Sequence, residues 1–477
     1  MNESLLKSRA FINGQWIKTD KRFRVDDPFA QELIVEVSDC GEKEAQDAID
    51  AAHQAFKSWS KTTAQERSDK LLAWYQLILD NLDDLAEILT TEQGKPLQEA
   101  KGEIQYGANY IKWFAEEALR VDGDIIPSPD GDKQIHAIKQ PVGVVGIITP
   151  WNFPQAMISR KVAPALAAGC TVVIKPAAET PLSALAMAEL SQQAGIPDGV
   201  INLVPTSEAS VIGEALTSSF KVRKISFTGS TKVGKILMSQ AAQNVQRVTM
   251  ELGGNAPFIV FDDADIESAV NGIMASKFRN SGQTCVCANR IFIHENIYQT
   301  VVDKLVKKVE ALKTGSGLEH NVSITPLINQ AGIDKVKRLV KSARDDGAKV
   351  IVGGGVSDKH NQIFEPTIMT NVNFEMDIAC EEIFGPVLSL IAFSNEASVV
   401  EQANATKAGL AAYVYTDDRH RIKRLSEQVE SGMIGFNEGI ISNHMAPFGG
   451  VKESGMGREG SKYGISDYLD IKYLCIK

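Results

Sequence analysis

Apolar residues in the N-terminal part of the chain recur with the spacing of amphipathic helices. Between residues 43 and 59 they stand at every third or fourth position, from Ala45 to Trp59, which predicts a helix with one buried face. The run from Leu71 to Leu85 repeats this spacing and predicts a second helix. Helices of this kind need a core that covers their apolar faces.

After residue 141 the pattern changes to short apolar runs that end in Pro, Gly or Thr. The runs GVVGIIT, TVVIKP, INLVP and KISFTG follow one another about every 25 to 30 residues, with helical stretches between them. This alternation predicts βαβ units and a parallel sheet. From about residue 253 a second series begins, with APFIVFDD, IFIHEN, KVIVGG, PVLSLIAF, LAAYVYT and MIGFNEG.

The two series predict two α/β domains with a cleft between them. Ligands bind at the carboxyl ends of parallel strands and between domains, so this cleft is the expected position of a site. Residues 122–141 and the stretch YLDIKYLCIK fit neither series. They are interpreted as a protruding hairpin and a strand.

Composition and charge argue against several classes of function. The chain has 50 Lys and Arg against 60 Asp and Glu, a net charge of −10 and no run of basic residues, which argues against nucleic-acid binding. Its longest apolar stretch, VGVVGIITPW, is about half of the roughly 20 residues that a membrane span needs. The first residues lack the apolar core of a signal peptide, and six scattered cysteines do not form a disulfide framework. We expect a cytoplasmic protein with neither a nucleic-acid nor a membrane partner.

A candidate phosphate site is the stretch GSTKVGKI at residues 229–236, which follows the predicted strand KISFT. It nearly matches the P-loop spacing, but Ile236 stands where Mg²⁺ binding requires a hydroxyl, so a P-loop phosphotransferase is disfavoured. No GxGxxG motif follows a predicted strand. A helix N-terminus opened by glycine can still bind a pyrophosphate through backbone N–H groups. The alternative is a tight strand-to-helix turn without a ligand.

Three further motifs place polar side chains at strand ends or rigid turns. In TPWNFP two prolines flank Asn152, whose amide could be a preorganised oxyanion donor or could bond its own backbone in a turn. In KPAAETP, Lys175 could contact a nucleotide or could point to solvent. In MELGGNAP, Glu251 precedes Gly-Gly at the predicted domain junction, where it could act as a general base or could cap a turn.

The stretch FRNSGQTCVCANR, residues 278–290, holds two cysteines separated by one valine. A zinc site is disfavoured, because the spacing has one residue and the nearest histidine, His294, is nine positions from Cys285. A buried inert pair is also disfavoured, because the surrounding GQTC is small and polar. An accessible thiolate nucleophile at Cys285 fits this pattern best.

Taken together, these motifs resemble the aldehyde dehydrogenase superfamily over the whole chain. The motifs in the family's order are TPWNFP, KPAAETP, FTGSTKVG, MELGGNAP, FRNSGQTC, EEIFGP and PFGGVKESGMGREG. A finer resemblance is to succinate-semialdehyde dehydrogenases. It is carried by WNFPQAMISRKVAPALAAG, SKFRNSGQTCVCANR, EGIIS and GREGSKYGISDYLDIKY.

The resemblance implies an α/β fold with three parts. A Rossmann-like cofactor-binding domain would comprise residues 1–121 and 142–252, and an α/β catalytic domain would comprise residues 253–445. Residues 122–141 and 458–477 would form a small protruding β segment for oligomerisation. The implied assembly is a homodimer or a homotetramer.

The resemblance also implies roles for individual residues. Cys285 would be the nucleophile, Asn152 and the backbone N–H of Cys285 the oxyanion donors, and Glu251 the general base. The residues implied for the cofactor are Trp151, Lys175, Ala178, Gly229, Ser230, Glu382 and Phe384. Those implied for the substrate carboxylate are Arg160, Arg279 and Ser442. A guanidinium suits a carboxylate because it can bind both oxygens, although Arg279 could also lie on a solvated helix face. No metal ligands are implied.

The cofactor preference depends on one departure from the family pattern. Many members that prefer NAD carry Glu three residues after the motif lysine, where it binds the ribose hydroxyls. Here that position is Ala178, and the glutamate follows at Glu179. The missing carboxylate leaves room for the 2′-phosphate of NADP beside Lys175, while Glu179 argues for NAD. We therefore expect NADP or NAD as the cofactor, with NADP favoured.

The function implied is NAD(P)-dependent oxidation of succinate semialdehyde to succinate through a cysteine thiohemiacetal and thioester. Glutarate semialdehyde, one methylene longer, is the main alternative substrate, and a broader-specificity aldehyde dehydrogenase is a further one. A catalytically silent family member would lack Cys285 or Glu251, and both are present. Cys287 is a candidate partner of Cys285 in a reversible disulfide, or it is a small side chain packed behind the nucleophile.

Overall fold

The computed structural model of the 477-residue chain describes residues 4–477. Its helices are α1 Glu42–Trp59, α2 Ala64–Asp80, α3 Leu82–Gln93, α4 Leu97–Glu117, α5 Pro154–Ala168, α6 Pro181–Gln193, α7 Ala209–Ser218, α8 Thr231–Ala241, α9 Ile266–Phe278, α10 Tyr298–Glu310, α11 Gln330–Asp345, α12 Asp377–Cys380, α13 Glu396–Asn404 and α14 Arg419–Gln428. Its strands are β1 Ala10–Ile12, β2 Gln15–Ile17, β3 Arg22–Asp26, β4 Leu33–Ser38, β5 Asp124–Ile126, β6 Gln134–Pro141, β7 Val144–Ile148, β8 Thr171–Lys175, β9 Ile201–Leu203, β10 Val222–Thr228, β11 Arg247–Glu251, β12 Ala256–Val260, β13 Ala288–His294, β14 Lys349–Val352, β15 Val356–Ser357, β16 His360–Phe364, β17 Thr367–Thr370, β18 Val387–Phe393, β19 Ala411–Tyr415, β20 Met433–Phe436, β21 Gly455–Met456 and β22 Leu469–Ile476.

The first large sheet has eight strands in the order β2–β1–β9–β8–β7–β10–β11–β21. The five strands from β9 to β11 are parallel, and β1 and β21 pair antiparallel with its two sides. In β8, Val172 and Ile174 pack into a core cluster with residues of α2 to α6. Val173 packs into the cluster on the opposite face, with residues of α1, α7 and α8. Because both faces are covered, successive residues of β7 and the middle of β8 are apolar, without polar alternation.

The second large sheet has seven strands in the order β14–β17–β18–β13–β12–β19–β20. Its strands are parallel except for the pair β14–β17. The α/β fold with parallel sheets that the periodicity predicted is confirmed, as is the Rossmann-like character that the resemblance implied. The sequence pattern did not predict β17, a strand of four residues.

The segments at 122–141 and near the C-terminus meet in a third, antiparallel sheet with the order β22–β6–β5. β22 pairs with β6 along its whole length, from Leu469 opposite Pro141 to Ile476 opposite Gln134. Five large apolar residues of this sheet are exposed: Ile125, Ile126, Ile471, Tyr473 and Ile476. β21 lies outside the two segments and joins the first sheet. The boundaries of the three parts stay a prediction.

The helix predicted from Leu71 to Leu85 is interrupted, and this part of the prediction is wrong. Asn81 ends α2 and begins α3, with φ −111° and ψ 20°. Its side-chain amide donates to the backbone oxygen of Leu77 at 2.8 Å. An asparagine side chain competes in this way for the carbonyl groups of the preceding turn. Among residues 4–477, no helix is long and apolar enough to span a membrane.

The close packing of α4 on α5 depends on Gly107. A Cβ atom at this position would collide with the buried side chain of Gln155 on α5, whose Nε2 donates to Ser159 Oγ at 3.2 Å. At Gly102, on the same helix, an added Cβ would meet no atom within 4 Å. The two glycines therefore separate the packing effect of a methyl group from its effect on helix propensity.

We expect Gly107→Ala to lower the free energy of unfolding by about 1 to 3 kcal/mol, the usual cost of overpacking. Gly102→Ala is the matched control and should raise it by about 0.5 to 1 kcal/mol, because alanine favours the helix. Urea unfolding of both variants measures the difference. Equal effects at the two positions would contradict the packing argument.

Candidate active site

The loop that carries Cys285 begins with a turn of unusual backbone geometry. After α9, Asn280, Ser281 and Gly282 have φ values of 50°, 54° and 77°. Ser281 Oγ donates to the backbone oxygen of Thr325 at 3.0 Å and accepts from its N–H at 2.9 Å. A Cβ atom on Gly282 would collide with the backbone oxygen of Gly385. The turn therefore places the cysteine loop in a fixed position against the second sheet's loops.

Asn152 lies next to this loop, between the end of β7 and the start of α5. Its side-chain Nδ2 donates to the backbone oxygen of Gln283 at 3.0 Å. Its backbone oxygen accepts from Asn280 Nδ2 at 3.1 Å and from Lys95 Nζ at 2.7 Å. Asn152 is 6% exposed. The structure thus brings the predicted oxyanion donor and the predicted nucleophile together.

Cys285 lies where two pockets meet, one of about 360 Å³ and one of about 250 Å³. Burial raises the pKa of its thiol to about 12, with Glu382 and Glu251 acting in the same direction and Arg160 and Arg279 opposing them. Without a further positive charge or a base, the thiol form dominates at neutral pH.

The larger pocket is built at the amino end of α8. Ser230 is the N-cap of α8, and its Oγ accepts from Val233 N–H at 3.4 Å. Gly229 N–H donates to the backbone oxygen of Glu251 at 3.0 Å, and a Cβ at Gly229 would lie 2.5 Å from the ring of Phe227. Thr228 Oγ1 is buried and, among residues 4–477, has no hydrogen-bond partner. A helix N-terminus with such donors suits an anionic group.

Two aromatic residues and one carboxylate face the other side of the larger pocket. The rings of Trp151 and Phe384 meet edge to face with centroids 5.6 Å apart. Phe384 has a left-handed φ of 57°. Glu382 Oε1 accepts from Gly254 N–H at 3.1 Å, and burial raises the pKa of this carboxyl to about 7. All three residues line the pocket with Cys285.

Lys175 and Ala178 lie away from the walls of this pocket. Lys175 ends β8 and is 6% exposed, and burial lowers the pKa of its ammonium while Glu179 opposes that effect. Ala178 and Glu179 line a broader cleft of about 640 Å³. The cleft and the pocket share the wall residues Ile328 and Asn329. Of the residues predicted for the cofactor, Gly229 and Ser230 therefore line the larger pocket, Ala178 lines the neighbouring cleft and Lys175 lines neither.

The smaller pocket brings together the three residues predicted for a substrate carboxylate. Arg160, Arg279 and Ser442 all line it, together with Cys285. The guanidinium of Arg279 lies 5.4 Å from the ring centroid of Phe153. Within the part of the chain that the structure describes, no ion pair or hydrogen bond engages the Arg279 side chain.

Arg160 differs from Arg279 because it already has an anionic partner. Arg160 Nη2 lies 2.7 Å from Glu459 Oε2, and both side chains are nearly fully buried. Lys161 pairs with the other oxygen of Glu459. Burial, the largest single effect, lowers the pKa of Arg160, but Glu459 together with Tyr110, Tyr106 and Glu251 outweighs it, so that the pKa is raised. Of the two arginines, Arg279 is the one that has no ion pair within residues 4–477, whereas Arg160 is paired with Glu459.

Glu251 ends β11 and is 3% exposed. Neither of its carboxylate oxygens has a hydrogen-bond partner among residues 4–477. Burial, followed by the charge of Glu459, raises the pKa of Glu251 well above its ordinary value, while Arg160 and Lys161 oppose the shift. Glu251 is not among the residues that line either pocket. It lies behind Gly449, where an added Cβ would be 3.0 Å from Glu251 Oε1.

Cys287 is 7% exposed, and its Sγ lies 3.6 Å from the backbone oxygen of Lys277. Both Cys285 and Cys287 are free thiols in this structure.

Sequence reasoning missed four residues that hold the site together: Lys95, Glu103, Asn280 and Glu459. Asn280 and Glu459 lie inside two motifs of the resemblance, FRNSGQTC and PFGGVKESGMGREG, but nothing in the sequence alone assigns them a role. Lys95 stands between Gly94 and Pro96, two residues that break helices, which is a local signal of a fixed position. No comparable signal marks Glu103, which lies inside a helix.

Comparison with known proteins identifies relatives over nearly the whole chain. The pattern of the aldehyde dehydrogenase family matches residues 16–474. A 3-sulfolactaldehyde dehydrogenase of Pseudomonas putida is 53% identical and covers 99% of this chain and 98% of its own. An NADP(+) succinate-semialdehyde dehydrogenase of Escherichia coli (strain K12) is 51% identical and covers 100% and 99%. A glutarate-semialdehyde dehydrogenase of Pseudomonas putida is 52% identical and covers 99% and 98%.

A solved structure agrees over the same length. The crystal structure of succinate-semialdehyde dehydrogenase from Burkholderia pseudomallei matches with a TM-score of 0.98 and 53% identity, covering 100% of this chain and 99% of that one. These relatives carry the names of three different aldehydes.

The raised pKa of Glu382 predicts a dependence of stability on pH. The folded state keeps the proton up to about pH 7, whereas the unfolded chain loses it near the ordinary glutamate pKa. The contribution of Glu382 to the free energy of unfolding is therefore complete at pH values below the ordinary glutamate pKa. It is lost as the pH rises to about 7, and the free energy of unfolding falls by at most about 3 kcal/mol. Glu382→Gln should flatten this loss in urea unfolding of the enzyme without added ligands. An unchanged pH slope would contradict the assignment.

Proposed function

The chain belongs to the aldehyde dehydrogenase family, and from that premise we propose that it oxidises succinate semialdehyde to succinate with NADP or NAD. The observation that carries this proposal is the position of Cys285 between two pockets of different chemistry. One pocket offers a helix N-terminus to a dinucleotide, and the other offers the unpaired guanidinium of Arg279 to an anion. An aldehyde with a carboxylate at its far end suits such an arrangement.

The residues of the larger pocket fit a nicotinamide dinucleotide. Gly229, Ser230 and the unpartnered hydroxyl of Thr228 would contact phosphate oxygens. Trp151, Glu382 and Phe384 would surround the nicotinamide and its ribose, and Lys175 and Ala178 would lie on the adenosine side. When bound, the nicotinamide accepts the hydride that the aldehyde carbon loses.

Cys285 would act first, by adding its thiolate to the aldehyde carbon. The oxygen of the resulting thiohemiacetal carries negative charge while the bond forms. Asn152 has two side-chain N–H groups, and only one is engaged, by Gln283. The other N–H and the backbone N–H of Cys285 would stabilise the oxyanion, and loss of one such donor costs about 10² to 10³ in rate.

Glu251 would act second, by activating water against the thioester. A carboxylate without hydrogen bonds and with a raised pKa is a stronger base than an exposed glutamate. Because Glu251 lies behind the pocket walls, its side chain would reach the thioester by a rotation or through a water molecule. The attack releases the acid and restores the thiol of Cys285.

The smaller pocket would bind the substrate's own anionic group. Arg279 and Ser442 would make the direct contacts, and Arg160 would share its charge with Glu459. Glutarate semialdehyde and an aldehyde that carries a sulfonate are the alternatives that the named relatives support. Discrimination by one methylene is worth only about 1 to 3 kcal/mol, so the pocket of about 250 Å³ would accept chains of similar length.

Two further properties belong to this proposal. The exposed apolar residues of the sheet β22–β6–β5 support a homodimer or homotetramer formed through that sheet.

Cys287, two positions from the nucleophile, would form a disulfide with Cys285 under oxidation, if the loop bends enough to bring the two thiols together.

Substrate assays test the proposed function. Wild-type enzyme should turn over succinate semialdehyde, and Arg279→Leu should lower kcat/KM for it by roughly 10- to 100-fold, because a charged hydrogen bond is worth about 1.5 to 3 kcal/mol. The same variant should hardly affect butanal, a neutral aldehyde of equal length. Cys285→Ala, the control, should have no turnover with either substrate. Equal losses on both aldehydes would mean that Arg279 is structural.

Cofactor assays test the predicted preference. Wild-type enzyme should use NADP at least as well as NAD, because Ala178 presents no carboxylate to the 2′-phosphate. Ala178→Glu should shift the ratio of kcat/KM values towards NAD by roughly tenfold or more, equal to about 1.4 kcal/mol. Ala178→Gln, similar in size but neutral, should shift it less. A strong native preference for NAD would show that Glu179 replaces the missing carboxylate.

A further inference from the structure

Lys95 is a buried lysine at the point where α3 ends and α4 begins. Gly94 ends α3 with a left-handed φ of 94°, and Pro96 is the N-cap of α4. The Lys95 side chain is 1% exposed and lines neither pocket. A charge this deeply buried requires polar partners, and the identity of those partners indicates its role.

The ammonium of Lys95 has one partner that fixes α5 and one that belongs to the site. Nζ lies 2.5 Å from Glu103 Oε2 and donates to the backbone oxygen of Asn152 at 2.7 Å. Glu103 Oε1 accepts from the backbone N–H groups of Gln155 and Ala156, at 3.0 and 3.2 Å. Glu103 thus caps the first turn of α5. Lys95 neutralises the charge of Glu103 and also bonds Asn152, which precedes that turn.

A second path joins Lys95 to the nucleophile loop. Its backbone N–H donates to Gln93 Oε1 at 3.1 Å, and Gln93 Nε2 donates to Asn280 Oδ1 at 3.0 Å. Asn280 Nδ2 then donates to the same backbone oxygen of Asn152 that Lys95 contacts. The hydrogen bonds therefore close a ring in which Lys95, Asn280 and Asn152 hold one another.

The ring fixes the backbone of Asn152, from which the side chain extends, and Gln283 fixes the side-chain amide. The backbone oxygen of Asn152 is held at two points, and one side-chain N–H is held by Gln283. Because an amide is planar and has two N–H bonds, the direction of the second N–H follows from the first. An oxyanion donor must be preorganised in this way, since it cannot reorient during the reaction without a loss of rate.

We propose that Lys95 is a positioning residue for oxyanion stabilisation, acting through Asn152 without touching the substrate. The proposal rests on the proposed role of Asn152 as the oxyanion donor. The alternative is that Lys95 and Glu103 only stabilise the fold as an ion pair. The two possibilities differ in whether the effect of Lys95 on the rate requires Asn152.

A double-mutant cycle between Lys95 and Asn152 tests the proposal. The readout is the single-turnover rate at which the reduced cofactor forms with succinate semialdehyde. Lys95→Met should lower this rate by roughly 10- to 100-fold, the cost of misplacing a reacting group, with little change in KM for aldehyde or cofactor. In the Asn152→Ala background the same substitution should change the rate by less than about threefold, because the donor that it positions is already absent.

Two controls separate positioning from folding. Lys95→Met leaves Glu103 buried without its partner, so the cycle is repeated with Lys95→Met/Glu103→Gln in place of Lys95→Met, because the double substitution removes both charges of the pair. Lys224→Met is the matched control, because Lys224 is also 1% exposed and bonds Thr249 away from Asn152. Its effect on the rate should be the same in both backgrounds.

The outcomes distinguish this inference from the proposed function. If Lys95→Met costs the same factor with and without Asn152, Lys95 is structural and the inference is wrong, while the role of Asn152 stands. If Asn152→Ala keeps the wild-type rate, the oxyanion assignment itself is wrong and the inference fails with it. If the loss for Lys95 appears only when Asn152 is present, the inference is upheld.

Discussion

The turn at Asn280, Ser281 and Gly282 is the constraint on which the rest of the site depends. Left-handed backbone costs roughly 1 to 2 kcal/mol for a residue with a Cβ, and two such residues stand here in succession. Hydrogen bonds stabilise the turn, from Gln93 and Glu99 at Asn280 and from Thr325 at Ser281. A loop held in this way keeps Cys285 at the meeting point of the two pockets.

The buried charged residues around the site form the second constraint, because some of them are paired with one another and others are not. Glu459 forms ion pairs with Arg160 and Lys161. These two basic residues therefore neutralise a buried carboxylate, and a ligand would have to compete with it for their charge. Among the described residues 4–477, no group bonds the carboxylate oxygens of Glu251, whose pKa is raised. Within the same residues, Arg279 has no ion pair at the pocket wall. In the protein interior, where the dielectric constant is low, the role of a charged residue depends on its ion-pair partners as much as on its residue type.

Much of the fold could be predicted because its central strands are covered on both faces. Runs such as VVGII, and VVI within TVVIK, can be recognised without knowledge of their neighbours in space, since burial on both faces favours apolar residues at successive positions. The break at Asn81 and the short strand β17 were missed for the opposite reason. A helix can end wherever one side chain captures a carbonyl group, and a strand of four residues carries too little periodicity to be distinguished from a loop.

The reactive groups of this protein could be predicted from its amino-acid sequence: a thiol, an amide and a carboxylate lie in motifs whose order matches the aldehyde dehydrogenase family. The glycine-opened helix that suits phosphate could be predicted as well. The residues that position these groups became visible only in the folded protein. Glu459 reaches Arg160 from the far end of the chain, and Lys95 reaches Asn152 from the turn between two helices. Local patterns report neighbours along the chain, whereas pKa values, ion pairs and the direction of a hydrogen bond depend on neighbours in space.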